Sequence, residues 1–182
     1  MDGFEIKVDN QGLVEKLKAL DRRVSNLRPF FEEVGEIIKT SIVRNFEVGG
    51  RYRAVGDWHG GSLKWQALST VTLFGAREGI GKGGGKFVEK KSGDLTQKGQ
   101  NRLAGKKILI QEELLMGSIN WRAASAEVEV GSNLAYSAIH NFGGKAGRNK
   151  AVTIPGRPYM VVQDEDLEQI LQVADEHILG RI

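Results

Sequence analysis

The stretch from Arg51 to Lys107 constrains this chain most, because neither the 3.6-residue period of a helix nor the two-residue period of a strand runs through it. Glycine is the main cause. Its 24 copies among 182 residues are about 13% of the chain, against an average near 7%, and they cluster between Gly49 and Gly105. Only Trp65 to Leu73 forms a short apolar island there. A chain of this length suffices for one domain that buries roughly 70% of its unfolded surface. Hydrophobic residues at 40% and charged residues at 27% are ordinary for a globular protein. The expectation is a single domain over residues 1–182 with a flexible insertion at about 75–107.

The flanks are well patterned. Phe4 to Val8 alternates apolar and charged side chains, as a half-buried strand does. Asn10 can cap a helix in which Leu13, Leu17, Leu20, Val24 and Leu27 recur at spacings of 4 and 3, a single apolar stripe. Pro29 opens a second helix with Glu32 and Glu33 in its favourable first turn. Phe30, Val34, Ile37, Ile38, Ile42 and Phe46 form its buried face, and Gly49-Gly50 ends it. Ser118 to Arg122 and Ala126 to Ser132 read as a hairpin joined by Ala123-Ala124-Ser125. Val152 to Ile154 and Tyr159 to Val162 are strand candidates that Pro155 and Pro158 confine to edges or strand ends. Asp164 caps a last helix bearing Leu167, Ile170, Leu171, Ala174 and Ile178. These elements predict an α+β fold, a mainly antiparallel sheet packed with N-terminal and C-terminal helices.

Chemistry is hard to find. The absence of cysteine rules out disulfides, thiol catalysis and thiolate metal sites. His59, His140 and His177 lack metal-pair spacing, and a surface or structural role for Asp57-Trp58-His59 outweighs that of a lone ligand or base. Gly79, Gly81 and Gly84 fit a dinucleotide fingerprint, but no apolar strand precedes them and no helical pattern follows. The Walker pattern fails because Ile80 stands where it needs glycine. No catalytic residue, metal site or cofactor is assigned, and the chain reads as a non-enzyme. It also lacks a bilayer-length apolar run and a signal-peptide pattern, so the expectation is synthesis in the cytosol without membrane contact.

Charge supplies a rival signal. The net charge is +3, yet Gly75 to Lys107 carries nine Lys or Arg against three Asp or Glu. Lys82, Lys86, Lys90 and Lys91 on such a segment are candidate contacts for phosphate or for a protein partner. Phe87 is the only aromatic there, so the stacking platform of a single-strand binder is missing. A solvated loop that orders against a partner is the plainer reading.

One stretch discriminates further. Val130-Gly131-Ser132 leads through Tyr136-Ser137-Ala138-Ile139-His140-Asn141-Phe142-Gly143, and after a polar loop come Ile154-Pro155-Gly156-Arg157-Pro158-Tyr159-Met160. This ordered pair resembles the phage virion morphogenesis, or tail completion, family. That family carries Tyr-Ala-x-Ile-His-x-Phe-Gly and then Ile-Pro-Ala-Arg-Pro-Phe/Tyr-Leu, so Gly156 here replaces an alanine. Trp65-Gln66-Ala67-Leu68-Ser69 is similar to the family's Trp-x-Pro-Leu-Ser, with Ala67 in place of proline. The resemblance covers about residues 30 to 175. It implies a structural virion protein of the tail or neck, assembled in the host cytoplasm. It further implies a homo-oligomeric ring of six copies that completes the tail, contacts tail-tube and head-neck connector proteins, and can touch genomic DNA nonspecifically. The alternative is a nucleic-acid-binding accessory using the basic loop 75–107.

The motif residues have a physical job under either reading. Tyr136, Ile139 and Phe142 can anchor a short helix or turn on the sheet, with His140 as a polar tip and Gly143-Gly144 reversing the chain. Pro155 and Pro158 hold Arg157 on a stiff segment, ready for a bidentate contact with a carboxylate or with backbone carbonyls. Trp65, Tyr136, His140, Phe142, Gly143, Pro155, Arg157, Pro158 and Tyr159 are the candidate structural or interface residues, an intradomain brace and a subunit contact being equally good readings.

Overall fold

The computed structural model describes residues 11–74, 87, 94–110 and 112–180. The expected strand Phe4 to Val8, the cap Asn10, the glycines 79, 81 and 84, and Lys82, Lys86, Lys90 and Lys91 lie outside the described residues.

Helix α2 (Arg28–Val48) is the element against which the others are placed. Pro29 sits in its first turn, where a missing N–H costs nothing, but the helix already starts at Arg28, so Glu32 and Glu33 fall beyond the first turn and not in it as expected. Gly49 closes it in a left-handed conformation (φ 77°), which a side chain would resist. As the sequence predicts, Val34, Ile42 and Phe46 are buried, and Phe30, Ile37 and Ile38 are half-buried. Two polar residues share that face. Asn45 and Ser41 are buried as well, and Ser41 Oγ accepts from Arg51 Nη2 at 3.0 Å.

The predicted hairpin forms from β1 (Ile119–Ala123) and β2 (Val128–Ser132), antiparallel, with Trp121 opposite Val130 and Ile119 opposite Ser132. It lies on α2 at a glycine: a Cβ on Gly35 would come within 2.5 Å of Trp121 Cδ2, so the indole rests directly on the helix backbone. Ile42, Phe46, Trp65, Ile119 and Tyr159 meet in the main core with Leu115, from the single turn α5 (Leu114–Gly117).

Two elements depart from the periodicity. Helix α3 (Thr70–Phe74) and helix α4 (Gln97–Gly105) pack around Phe87, forming a second small core with Leu73 and Phe74. Thr96 Oγ1 accepts the N–H of Gly99 and caps α4, and the Arg102 guanidinium lies 5.1 Å from the centre of the Phe87 ring. Part of the stretch without periodicity is thus helical, held by a contact distant in sequence.

Helix α6 (Ser137–Phe142) leads through Gly143 (φ 78°) into β3 (Gly144–Ala146), which pairs antiparallel with β4 (Val152–Ile154). The last helix, α7 (Asp164–Leu179), packs on α2. Its cap is Gln163 and not Asp164: the Gln163 N–H donates to Asp166 Oδ2 at 2.8 Å, and Gln163 Nε2 donates to Arg51 O at 2.8 Å. Helix α1 (Gln11–Ser25) meets α7 near its own C-terminal end, where Arg23 Nη1 donates to Ile178 O and the His177 ring lies against Arg23 O. The rest of its predicted stripe is open, with Leu17 55% exposed and Leu13 and Val24 as bare. The architecture is α+β, with two small antiparallel hairpins and seven helices among the described residues.

Candidate functional site

The segment from Pro155 to Met160 joins no sheet, because other residues take its backbone groups. Asn141 Oδ1 accepts the N–H groups of both Tyr159 and Met160, at 3.0 and 3.1 Å. Asn45 Nδ2 donates to Tyr159 O at 2.9 Å, and Trp65 Nε1 donates to Pro158 O at 2.8 Å. The Arg157 N–H donates to His140 O at 2.8 Å, and Tyr159 Oη donates to Ser137 O at 3.0 Å. Buried peptide groups must find partners, and here side chains from α2, α6 and the Trp65 loop replace the ladder of a neighbouring strand. The predicted strand at Tyr159–Val162 is accordingly absent. Only Val162 makes a bridge, parallel to His59.

Arg157 crosses this bracket to the Trp65 loop. Its Nε and Nη2 both donate to Gln66 O, at 3.3 and 3.2 Å, and the residue is only 6% exposed. This is the carbonyl version of the bidentate contact expected from sequence. Two glycines let the strands of backbone close up: a Cβ on Gly143 would sit 2.6 Å from Gly156 N, and one on Gly156 would sit 2.9 Å from Phe142 O. A match to the phage virion morphogenesis family spans residues 84–179, which contain this whole bracket except the Trp65 loop and Asn45.

The chain belongs to the phage virion morphogenesis family. This morphogenesis protein is also similar to the Mu-like prophage FluMu G protein 2 of Haemophilus influenzae, at 28% identity over 170 residues that cover 93% of this chain and 91% of that protein. No solved structure matches it. Membership gives it a part in building phage particles.

In the morphogenesis protein the candidate residues divide. Trp65, Pro158 and Tyr159 are buried, Gly143 makes the turn, and Pro155 is half-buried beside it. Phe142 is not an anchor, being 62% exposed, and Tyr136 is also exposed. The buried residue of α6 is Asn141, at 6% exposure, which the periodicity of a six-residue helix could not single out. Asn45 was missed for a related reason, since an asparagine on an apolar helix face carries no pattern of its own.

His140 faces a groove of about 1000 Å3 next to Arg157 and Tyr136, whose ring meets the imidazole edge-on at 5.7 Å. Its Nδ1 is buried without a hydrogen-bond partner. Burial, and secondarily the Arg157 charge, hold its pKa below the ordinary 6.5. The unfolded chain therefore binds a proton that the fold refuses. Stability from this site is intact above about pH 6.5 and falls as pH drops below it, levelling off under the folded pKa. Thermal melts of the wild type and of His140→Gln between pH 7.5 and 5 are expected to converge or cross as pH falls, the wild type losing more. Parallel curves would show that His140 titrates normally.

Proposed function

We propose that this morphogenesis protein is a tail completion or neck subunit that assembles into a homo-oligomeric ring of six copies and joins the tail tube to the head-neck connector. The observation that carries this reading is the open apolar stripe of α1, Leu13, Leu17, Leu20 and Val24, in a protein of a particle-building family. An amphipathic helix in water is stabilised chiefly by covering its apolar face, so a stripe this bare is suited to a surface that another subunit covers. The bracket supports the same reading from the other side, because its motif residues are occupied in holding backbone. The work is then binding and ordering, without turnover, in the virion tail or neck.

Native mass measurement and electron microscopy of the purified chain, alone and with tail tubes, test this. The expected species is a ring near six times the 20.0 kDa chain, about 120 kDa. A protein that stays monomeric in both conditions overturns the proposal. Salt-dependent DNA binding lost on replacing Lys82, Lys86, Lys90 and Lys91 by serine, with no assembly to disturb, would establish the nucleic-acid accessory instead.

A further inference from the structure

Two surfaces of this chain complement each other and do not meet within one copy. The first is the groove beside the bracket. Lys106, Lys107 and Arg157 line it, against a single acid, Glu112. Arg157 is nearly wholly buried, yet both its hydrogen bonds end on one neutral carbonyl, and no ion pair among the described residues includes it. Lys106 Nζ reaches only the carbonyl of Thr72, at 3.2 Å. Beside them His140 Nδ1 lacks a partner. A desolvated guanidinium is best matched by a carboxylate, and the groove's one acid, Glu112, makes no ion pair with it or with any other described residue. Its walls are also apolar and open: Leu114, Val152 and Tyr136 are all exposed.

The second surface is the outer face of α7. Asp164, Glu168, Leu171, Asp175 and Ile178 follow one another at spacings of 4, 3, 4 and 3, so they lie on one side of the helix, and all are exposed, Leu171 to 67%. The helix contains no Lys or Arg. Glu165 is engaged by Arg51 and Arg44, and Asp166 by the cap, whereas the carboxylates of Asp164, Glu168 and Asp175 have no ion-pair or hydrogen-bond partner among the described residues. This face is acidic and apolar where the groove is basic and apolar.

None of the groove lining comes from α7, which is fixed on α2 by its opposite side. A chain therefore cannot fill its own groove with this helix, but a second copy can. Resting on the ring reading above, we propose that the outer face of α7 docks in the basic groove of the neighbouring copy, with Glu168 and Asp175 meeting Lys106, Lys107 and Arg157. Groove and helix are different patches, so the contact is head-to-tail, the kind that closes rings or extends filaments. Opposed charges on the two patches also fix the register and disfavour groove-to-groove pairing.

The test uses the full chain and charge reversal on each side, read by sedimentation and native mass at matched concentration. Lys106→Glu with Lys107→Glu, and separately Glu168→Lys with Asp175→Lys, are each expected to weaken assembly at least about tenfold, and the quadruple reversal to restore it. The α7 pair is exposed, so it keeps the test decisive if the lysine pair disturbs folding by circular dichroism. Normal assembly by both reversed pairs, with a wild-type ring, overturns the docking and leaves the ring reading standing. So does a folded quadruple variant that fails to recover. A monomeric wild type overturns both.

Discussion

Replacing Trp65 with alanine is expected to destabilise the fold by about 4 kcal/mol, the middle of the range for deleting a buried aromatic side chain. The indole is 4% exposed, meets Phe46 edge-on with ring centres 5.6 Å apart, and packs with Ile42, Leu115, Ile119 and Tyr159. Its loss also leaves Pro158 O without the donor that satisfies it. Domains of this size are stable by roughly 5–15 kcal/mol, so a change of this size removes a large share, and Tm falls by on the order of 8–16 °C. Trp65→Phe separates the two contributions. It keeps most of the ring and removes only the N–H, so about 1–2 kcal/mol is expected. Urea titration with an unchanged m-value measures both. A cost below about 2 kcal/mol for alanine would show that Trp65 does not join the halves of the core. Protein concentration is held constant across these measurements, since any assembly would add its own stabilisation.

The sequence-based expectations held where a single element declares itself. Helix α2 runs for six turns with proline at one end and glycine at the other, and its apolar face is read off at 3.6-residue spacing. The β1–β2 hairpin and α7 were legible on the same terms, although the cap of α7 fell one residue earlier than Asp164. Where the reading failed, the deciding contact was distant. Helix α4 has few apolar residues of its own and forms around Phe87, which lies ten residues upstream of its start. The stripe of α1 was correctly seen as apolar, but periodicity reports which side chains share a face and not what covers them. Tyr159 to Val162 has the composition of a strand, and tertiary structure overrides it because amide side chains claim its backbone. The family resemblance located the bracket and paired its two segments, yet it named Phe142 and passed over the neighbouring position. That neighbour, at a variable place in the motif, is Asn141.

Asn141 is for this reason the more searching test of how the bracket is held. Its Oδ1 is the acceptor for two consecutive backbone N–H groups in a region without bulk water, so Asn141→Leu leaves both unsatisfied. At about 1–3 kcal/mol for each orphaned group, the expected loss is about 2–6 kcal/mol, less what the added apolar volume of leucine returns. Asn141→Asp keeps an oxygen in the same place and is expected to lose less than half as much near neutral pH. Asn45 holds the carbonyl of the same Tyr159 from the opposite side, through Nδ2, while its own Oδ1 accepts from Arg51. Two amides gripping one peptide unit act on a shared geometry, so their effects are not independent. The double variant Asn45→Ala with Asn141→Ala is expected to cost less than the sum of the singles, by on the order of 0.5–3 kcal/mol, because the segment released by the first loss no longer uses the second contact. Strict additivity in chemical denaturation would mean that each amide acts locally, and that the segment is held in place by its other contacts, those of Arg157, Pro158 and the Tyr159 ring.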